Sequence, residues 1–402
     1  MSDICVFSSP TLDVQRRGRH LITNFKVPAR VLATCSVNGG LRDDLTHLIN
    51  HQSCEPVKHQ ERFEVITGLG PVGYHSSVCA EVGAPAGTTA LMGTAAAMQY
   101  LGIVTESFAD LSVTAIVTAG VTGNAGCAGD PAHYDEQNGV WSRCNAPGTT
   151  DKPAGTHSGT INTLLFFSCP VSEGALVRAI ATMTEAKSSA LTELAIGSKY
   201  SWRPATGTGT DQFCIAAPLT GQGLRTWTGK HTKAGELIGL AVRRATLEAL
   251  RWQNGLEPSY TRSILHALGR YGLSEERLKT AMEQRLTAPA YQLFKDNWNP
   301  VIYEPQLAAG AYAFSAVLDR ILCGTLAASS GRECLVNQAA LMGAGLAARP
   351  SDFAYFREQL AHHACHDPVS KTELPVSALE VALDGIALGW KLKWSSEEMA
   401  AT

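Results

Sequence analysis

The sequence predicts a mixed α and β fold (α/β, of the α+β kind) for residues 1–255, followed by an all-α module over residues 256–402. Three observations lead there. Short, apolar, β-branched runs bounded by Gly, Pro or Asn recur between residues 28 and 255. Longer segments with apolar residues at helical spacing lie between them. Beyond "NGLEPSY" (254–260) the strand-like runs stop, and the chain reads as helix with short breaks.

In chain order, the strand-like segments are "ARVLATCSV" (29–37), "SVTAIVTAG" (112–120), "INTLLFFS" (161–168) and "QFCIAAP" (212–218). The helical patterns are "TTALMGTAAAMQYLG" (88–102), "VSEGALVRAIATMTEAKSSALTELAI" (171–196) and "KAGELIGLAVRRATLEALRWQ" (233–253). Strand order is not legible from these runs. Residues 122–160 are rich in Gly, Asn, Asp and Pro, and are expected to form a lid or a hairpin, because long connections are usually functional or mobile. In the C-terminal module, "PQLAAGAYAFSAVLDRILCGTLAA" and "LPVSALEVALDGIALGWKLKW" read as core helices.

Composition excludes several classes. The chain has 402 residues, 45% hydrophobic and 17% charged, which is enough for a sizeable core. A net charge of −3 argues against a general nucleic-acid binder, which carries a basic surface. No apolar run is long enough to span a membrane, and "MSDICVFSSP" has no signal-peptide pattern. Eleven cysteines are scattered singly with no C-x-x-C, which fits free thiols in a reducing cytoplasm. The chain is therefore expected to be cytoplasmic. A homo-oligomer is compatible with the sequence, and the helical module could dimerise, cap a cleft or bind a partner.

Four constellations could carry chemistry. "VTAGVTGNAGCAGDPA" (117–132) runs a strand into a glycine-rich turn with Asn124, Cys127 and Asp130. Such a turn can aim backbone N–H groups at an anion, or it can be a plain strand-to-loop turn. Cys127 needs a neighbouring base to act as a nucleophile, and His133 is six residues away. In "GTHSGTINTLLFFS" (155–168), Thr160 and Asn162 share a strand face, either to bind a ligand amide or to cap a strand end. In helix 171–196, Lys187 falls inside the stripe formed by Leu176, Ile180, Met183, Ala190, Leu191 and Leu194. It either snorkels at an edge or reaches into a site. Glu185 lies on the opposite face with Arg178 and Ser189.

The fourth is "ATGTGTDQF" (205–213), where Thr206, Thr208 and Thr210 share a face if the segment is extended. Asp211 then faces away unless a turn rotates it. Threonines and glycines here suit oxyanion stabilisation, a nucleophile or a proton relay, and equally an ordinary Thr-rich turn. Two weaker features are His231, just before the helix at 233, and "HHACHD" (362–367), which reads better as an amphipathic helix end than as a metal cluster.

Six segments in this order resemble the adenosylcobinamide amidohydrolase (CbiZ) family of corrinoid salvage. They are "VLATCSVNGG" (31–40), "VTAGVTGNAGCAGDPA", "GTINTLLFFS", "VRAIATMTEAKSSALTEL", "ATGTGTDQFCIAAP" and "TGKHTKAGELIG" (228–239). The resemblance implies an amide hydrolase, which cleaves adenosylcobinamide to adenosylcobyric acid and aminopropanol. The C-terminal module lies outside it. No cofactor and no protein-bound metal is expected, since the cobalt belongs to the corrinoid substrate.

Amide cleavage needs an attacking oxygen, an oxyanion stabiliser and a proton for the leaving amine. No H-E-x-x-H or G-x-S-x-G motif supplies them. The expected catalytic set is Asp130, Lys187, Thr206, Thr208, Thr210 and Asp211, with Asp130 or Asp211 as general base for water or for a threonine hydroxyl. Lys187, Asn162 and glycine-loop N–H groups are expected to hold the oxyanion. Asn38, Asn124, Thr160, Asn162, Glu185 and His231 make up the expected substrate-binding set. The competing classes are a non-catalytic corrinoid-binding protein and an amidase of another substrate.

Overall fold

The computed structural model describes residues 3–55, 59–144, 159–361 and 373–394. They fall into two compact units, Met1–Leu256 and Glu257–Thr402. The first holds the β-sheets and the second is helical.

The first unit begins with strands β1 (Ile4–Ser8), β2 (Leu12–Arg17), β3 (His20–Phe25), β4 (Ala29–Ala33), β5 (Gly40–Arg42) and β6 (His47–Gln52), then helix α1 (His59–Val82). Strands β7 (Thr89–Thr94), β8 (Gly102–Phe108) and β9 (Leu111–Ala119) follow, then β10 (Ala125–Gly126), β11 (Tyr134–Gln137), β12 (Val140–Arg143) and β13 (Ile161–Phe167). Helix α2 (Glu173–Glu193), strands β14 (Gly207–Thr208) and β15 (Gln212–Pro218), and helix α3 (Lys233–Asn254) complete it.

Two large sheets form, in the orders β1-β2-β3-β6-β7 and β5-β4-β15-β13-β9-β8. All pairings are antiparallel except β6 with β7 and β13 with β15. Alternation along each strand sorts side chains to opposite faces. On β9, β13 and β15, Ile116, Leu164, Phe166, Cys214 and Ala216 pack with Leu21, Leu48 and Met92 of the first sheet. Val117, Ala119, Leu165, Phe167 and Ile215 face the other way and pack with Leu176 and Met183 of α2 and Ile238 and Val242 of α3. Val78 and Cys79 of α1 pack with Ile49 and Leu91 on the outer side of the first sheet. The unit is thus four layers: α1, sheet, sheet, and the α2–α3 pair. Because β9, β13 and β15 are covered on both faces, they read as nearly continuous apolar runs.

One element differs from the sequence reading. Residues 88–102 are not a helix: Thr89–Thr94 is strand β7, followed by a single 3-10 turn at Met98–Tyr100. "TALM" is buried on both faces, and a short, doubly buried run carries no period by which strand and helix can be told apart. Of the 122–160 loop, β11 and β12 make the hairpin, closed by Asn138 (φ 53°) and Gly139 (φ 81°). Both turn residues have positive φ, as a two-residue hairpin of this kind requires.

The second unit contains helices Glu275–Arg285, Pro305–Leu322, Ala328–Leu346 and Leu374–Lys393 with shorter pieces between. Trp390, Phe294, Phe314 and Phe356 are fully buried there. The "HHACHD" segment lies outside the described residues. Among the described residues the cysteines are all free thiols, and no helix is long and apolar enough to cross a membrane.

Candidate active site

At one end of the second sheet, β13 begins, β15 begins and β9 ends. The "ATGTGTDQF" stretch enters β15 here. Gly207–Thr208 forms a short ribbon with Ala125–Gly126 of the glycine-rich loop. The chain then turns at Gly209–Thr210. That turn swings Asp211 back, so that its carboxylate accepts hydrogen bonds from its own loop: the Thr208 N–H at 3.1 Å and the Thr208 hydroxyl at 2.5 Å. The Ile161 N–H, at the start of β13, donates to the same carboxylate at 3.0 Å.

Lys187 arrives from α2. Its neighbours on the helix, Met183, Ala186, Ala190 and Leu191, are buried against the sheet, as the apolar stripe predicts. Its Nζ forms an ion pair with Asp211 Oδ2. Both side chains are largely buried, at 14% and 17% exposure. The cost of placing an amine in an apolar stripe is thereby offset by a charged partner.

Gly207 makes the approach possible. A Cβ built there would lie 2.4 Å from Asp211 Oδ2 and 2.7 Å from Lys187 Nζ.

Beside this pair lies a ring of hydroxyl and amide groups. Thr160 and Thr210 hydroxyls are 2.5 Å apart and both lie within reach of the Gly159 carbonyl, so that one donates to the carbonyl and the other to its partner hydroxyl. The Asn124 side-chain N–H donates to the same carbonyl at 3.1 Å and to the Thr210 hydroxyl at 3.3 Å. Tyr200, whose hydroxyl donates to Asn124 Oδ1 at 2.7 Å, closes the ring. Burial, with Asp130 nearby, pushes the Tyr200 phenol above its ordinary pKa.

Thr206 and Asp130 serve the loop itself. The Thr206 hydroxyl accepts from the Ala128 N–H at 2.9 Å. Asp130 Oδ2 accepts from the Cys127 N–H at 2.7 Å and the Ser198 hydroxyl at 2.6 Å. Burial raises the Asp130 pKa, but the Ser198 and Ser201 hydroxyls, the Cys127 N–H and Arg203 more than offset it, so the carboxyl sits below its ordinary value. His133 rests against the Tyr200 ring, 5.6 Å between centroids.

Asn162 shares its strand with this site but turns between the two sheets. Its Nδ2 donates to Asn50 Oδ1 at 2.8 Å and to the Gly93 carbonyl at 3.1 Å. Asn50 in turn donates to the Thr118 hydroxyl at 2.8 Å. Both N–H bonds of Asn162 are therefore used in tying the sheets together, and neither is free for an oxyanion.

The remaining sequence candidates are not gathered here. Asn38 donates to the carbonyls of Ala86 and Thr89, holding a turn in which it adopts φ 57°. Glu185 is exposed on α2 and pairs with Lys230 at 2.6 Å, while Arg178 stacks over Trp227. His231 is exposed in the turn before α3. Tyr200 and Ser198 escaped sequence reasoning, since "SKYSW" (198–202) has neither period nor motif to mark it. A cavity of about 460 Å³ lined by Arg30, Val171, Ser172 and Leu224 lies at the opposite end of β13 and β15, away from this group. Arg30 there is committed to Asp43 and Glu173.

Residues 7–258 match the adenosylcobinamide amidohydrolase family, CbiZ. The chain belongs to that family. The match takes in both large sheets apart from the start of β1, α1 to α3 and every residue of the Lys187–Asp211 group. The chain is also similar to the uncharacterized protein MJ1613 of Methanocaldococcus jannaschii. The two are 37% identical over 186 residues, covering 46% of this chain and 71% of that protein. Adenosylcobinamide amidohydrolase family membership concerns the first unit, and the second unit lies almost wholly beyond it.

Proposed function

We propose that this protein hydrolyses the amide joining aminopropanol to a propionate side chain of the corrin ring, converting adenosylcobinamide to adenosylcobyric acid. The observation that carries this reading is the Thr208–Asp211–Lys187 group within the family-matched region. A hydroxyl bonded to a carboxylate that is itself paired with an ammonium is the arrangement that activates an oxygen nucleophile beside a positive charge.

In this reading Asp211 takes a proton from the attacking oxygen, which is water or the Thr208 hydroxyl. The oxygen adds to the amide carbonyl, and negative charge builds on the carbonyl oxygen, where the Lys187 ammonium and loop N–H groups stabilise it. The C–N bond then breaks and the proton passes to the departing aminopropanol nitrogen. If Thr208 attacks, water releases the resulting ester in a second, equivalent step. Thr160, Thr210, Asn124 and Tyr200, in the adjoining ring, carry the hydroxyl and amide groups suited to hydrogen bonding the substrate's amide and hydroxyl groups. Asp130 and Thr206 act by holding the loop. The cobalt enters with the substrate.

The test is incubation with adenosylcobinamide, with mass spectrometry for adenosylcobyric acid and free aminopropanol. Turnover by the wild type and its loss in Asp211→Asn are expected. Cobinamide bound without turnover would instead mark a corrinoid carrier. Undiminished release by Asp211→Asn would sink the assignment of the base.

A further inference from the structure

A second cluster of chemistry-bearing side chains lies on the outer side of the first sheet, beneath α1. His20 on β3 and His51 on β6 are directly opposed in the strand register. Their rings stack at 4.5 Å with an 8° angle between planes. Both are buried, at 4% and 1% exposure. Glu81, in the last turn of α1, places Oε2 3.6 Å from His20 Nε2. One ligand atom from each of the three lies within 4.8 Å of the others.

We propose that His20, His51 and Glu81 bind a divalent transition-metal ion that ties α1 to the sheet. The argument starts from His20. Its Nδ1 faces the Arg17 carbonyl at 3.2 Å, and a carbonyl can only accept, so Nδ1 carries a proton. In the neutral ring Nε2 is then a bare lone pair. It is buried, makes no hydrogen bond among the described residues, and faces a carboxylate. Two electron-rich groups so placed repel, and a cation between them turns the repulsion into ligation. His51 is held in the same way through its other nitrogen: Nδ1 is 2.6 Å from the Tyr74 hydroxyl, which is also 2.6 Å from the Ser53 hydroxyl. Metal-binding imidazoles are ordinarily fixed by such a bond on the second ring nitrogen.

The fold gives the ion a purpose. Among the described residues, Ile49, Val78, Cys79 and Leu91 form the small buried cluster under α1, with Tyr74 and Val82 partly buried against it, while Val65, Leu69 and Val72 on the helix are exposed. The helix is also broken at Gly70, φ 64°, next to Pro71. So little apolar burial holds α1 weakly, and a bridge from Glu81 to two strands strengthens it. A metal at about 2.0–2.1 Å from each nitrogen must lie near both ring planes. Parallel rings cannot meet that condition, so binding rotates at least one imidazole out of the stack.

The experiment uses the full chain, stripped of metal and titrated with Co²⁺, then Zn²⁺. The expected result is one Co²⁺ per chain with visible d–d bands and no strong near-ultraviolet thiolate band, since no cysteine is in the set. Zn²⁺ should raise the melting temperature. Glu81→Gln, whose site is 59% exposed and so tolerates the change, should lose both effects. Tyr74→Phe should weaken binding by about 10- to 100-fold. No bound cobalt and no thermal shift, or binding unchanged in Glu81→Gln, overturns the proposal.

Discussion

Lys187 and Asp211 stand 24 residues apart in the chain and form an ion pair, closed over by α2 and the Thr208–Asp211 turn. The pair does two jobs that can be measured separately. It anchors α2 to the sheet end, and it sets an ammonium beside the carboxylate that holds the Thr208 hydroxyl.

Removing one partner of a largely buried pair leaves the other uncompensated. Lys187→Met is expected to cost about 3–5 kcal/mol of unfolding free energy, read from urea denaturation. The double variant Lys187→Met with Asp211→Leu should recover part of that loss, because an apolar pair leaves no charge stranded. A double variant less stable than the sum of the single changes would contradict this account.

Asp211→Asn keeps the shape and one of the two acceptor oxygens but removes the base. We expect aminopropanol release to fall about 10²- to 10⁴-fold in kcat with KM little changed. Thr208→Val should fall similarly if its hydroxyl attacks, whereas Thr208→Ser should retain activity. A substrate-derived mass adduct on Thr208 during turnover would separate direct attack from water activation.

Gly207→Ala places a methyl group against Asp211 and Lys187 and should abolish activity. Gly209→Ala is the control: its nearest neighbour would be Asn124 Oδ1 at 3.9 Å, an ordinary contact. The two variants, two residues apart in one loop, should therefore differ by well over tenfold in aminopropanol release. Equal activities would remove close packing at Gly207 from the argument.

Asp130 predicts an acid limit. Its folded-state pKa lies below its ordinary value, so the native state holds the carboxylate more tightly than the unfolded chain does. The stabilisation is complete above the unfolded pKa, about 3.9, and is lost as pH falls through the lower folded value. Asp130→Asn should therefore be less stable than the wild type at pH 7, with the gap closing below pH 4. A gap independent of pH would show that the charge is not what holds the turn.

The four long strand runs and the helices at 173–193 and 233–254 were legible because each covers enough residues to display its period. Lys187 was legible for the same reason, as a charge out of place on an apolar face. β7 was not, because burial on both faces erases alternation. The alternation of "TGTGTD" leaves the direction of Asp211 open, away from the threonines in an extended chain and back toward them if a turn intervenes, and the Gly209–Thr210 turn decides it. The strand face of Asn162 suits either a ligand amide or a strand cap, yet its amide is spent between the sheets. Nothing along one strand reveals which of its faces meets a second sheet.

The sequence by itself determined the fold class, the family and the residue types from which a site can be built, since local periodicity and ordered motifs are properties of neighbouring residues. Only the tertiary structure decided which polar groups work together. It joined Lys187 to Asp211, set Thr208 on the carboxylate, used Asp130 and Asn162 as braces, and left Glu185 and His231 at the surface. The physical reason is that a buried polar group must find a partner, and the partners here come from strands and loops far apart in the chain, in a register no single segment encodes.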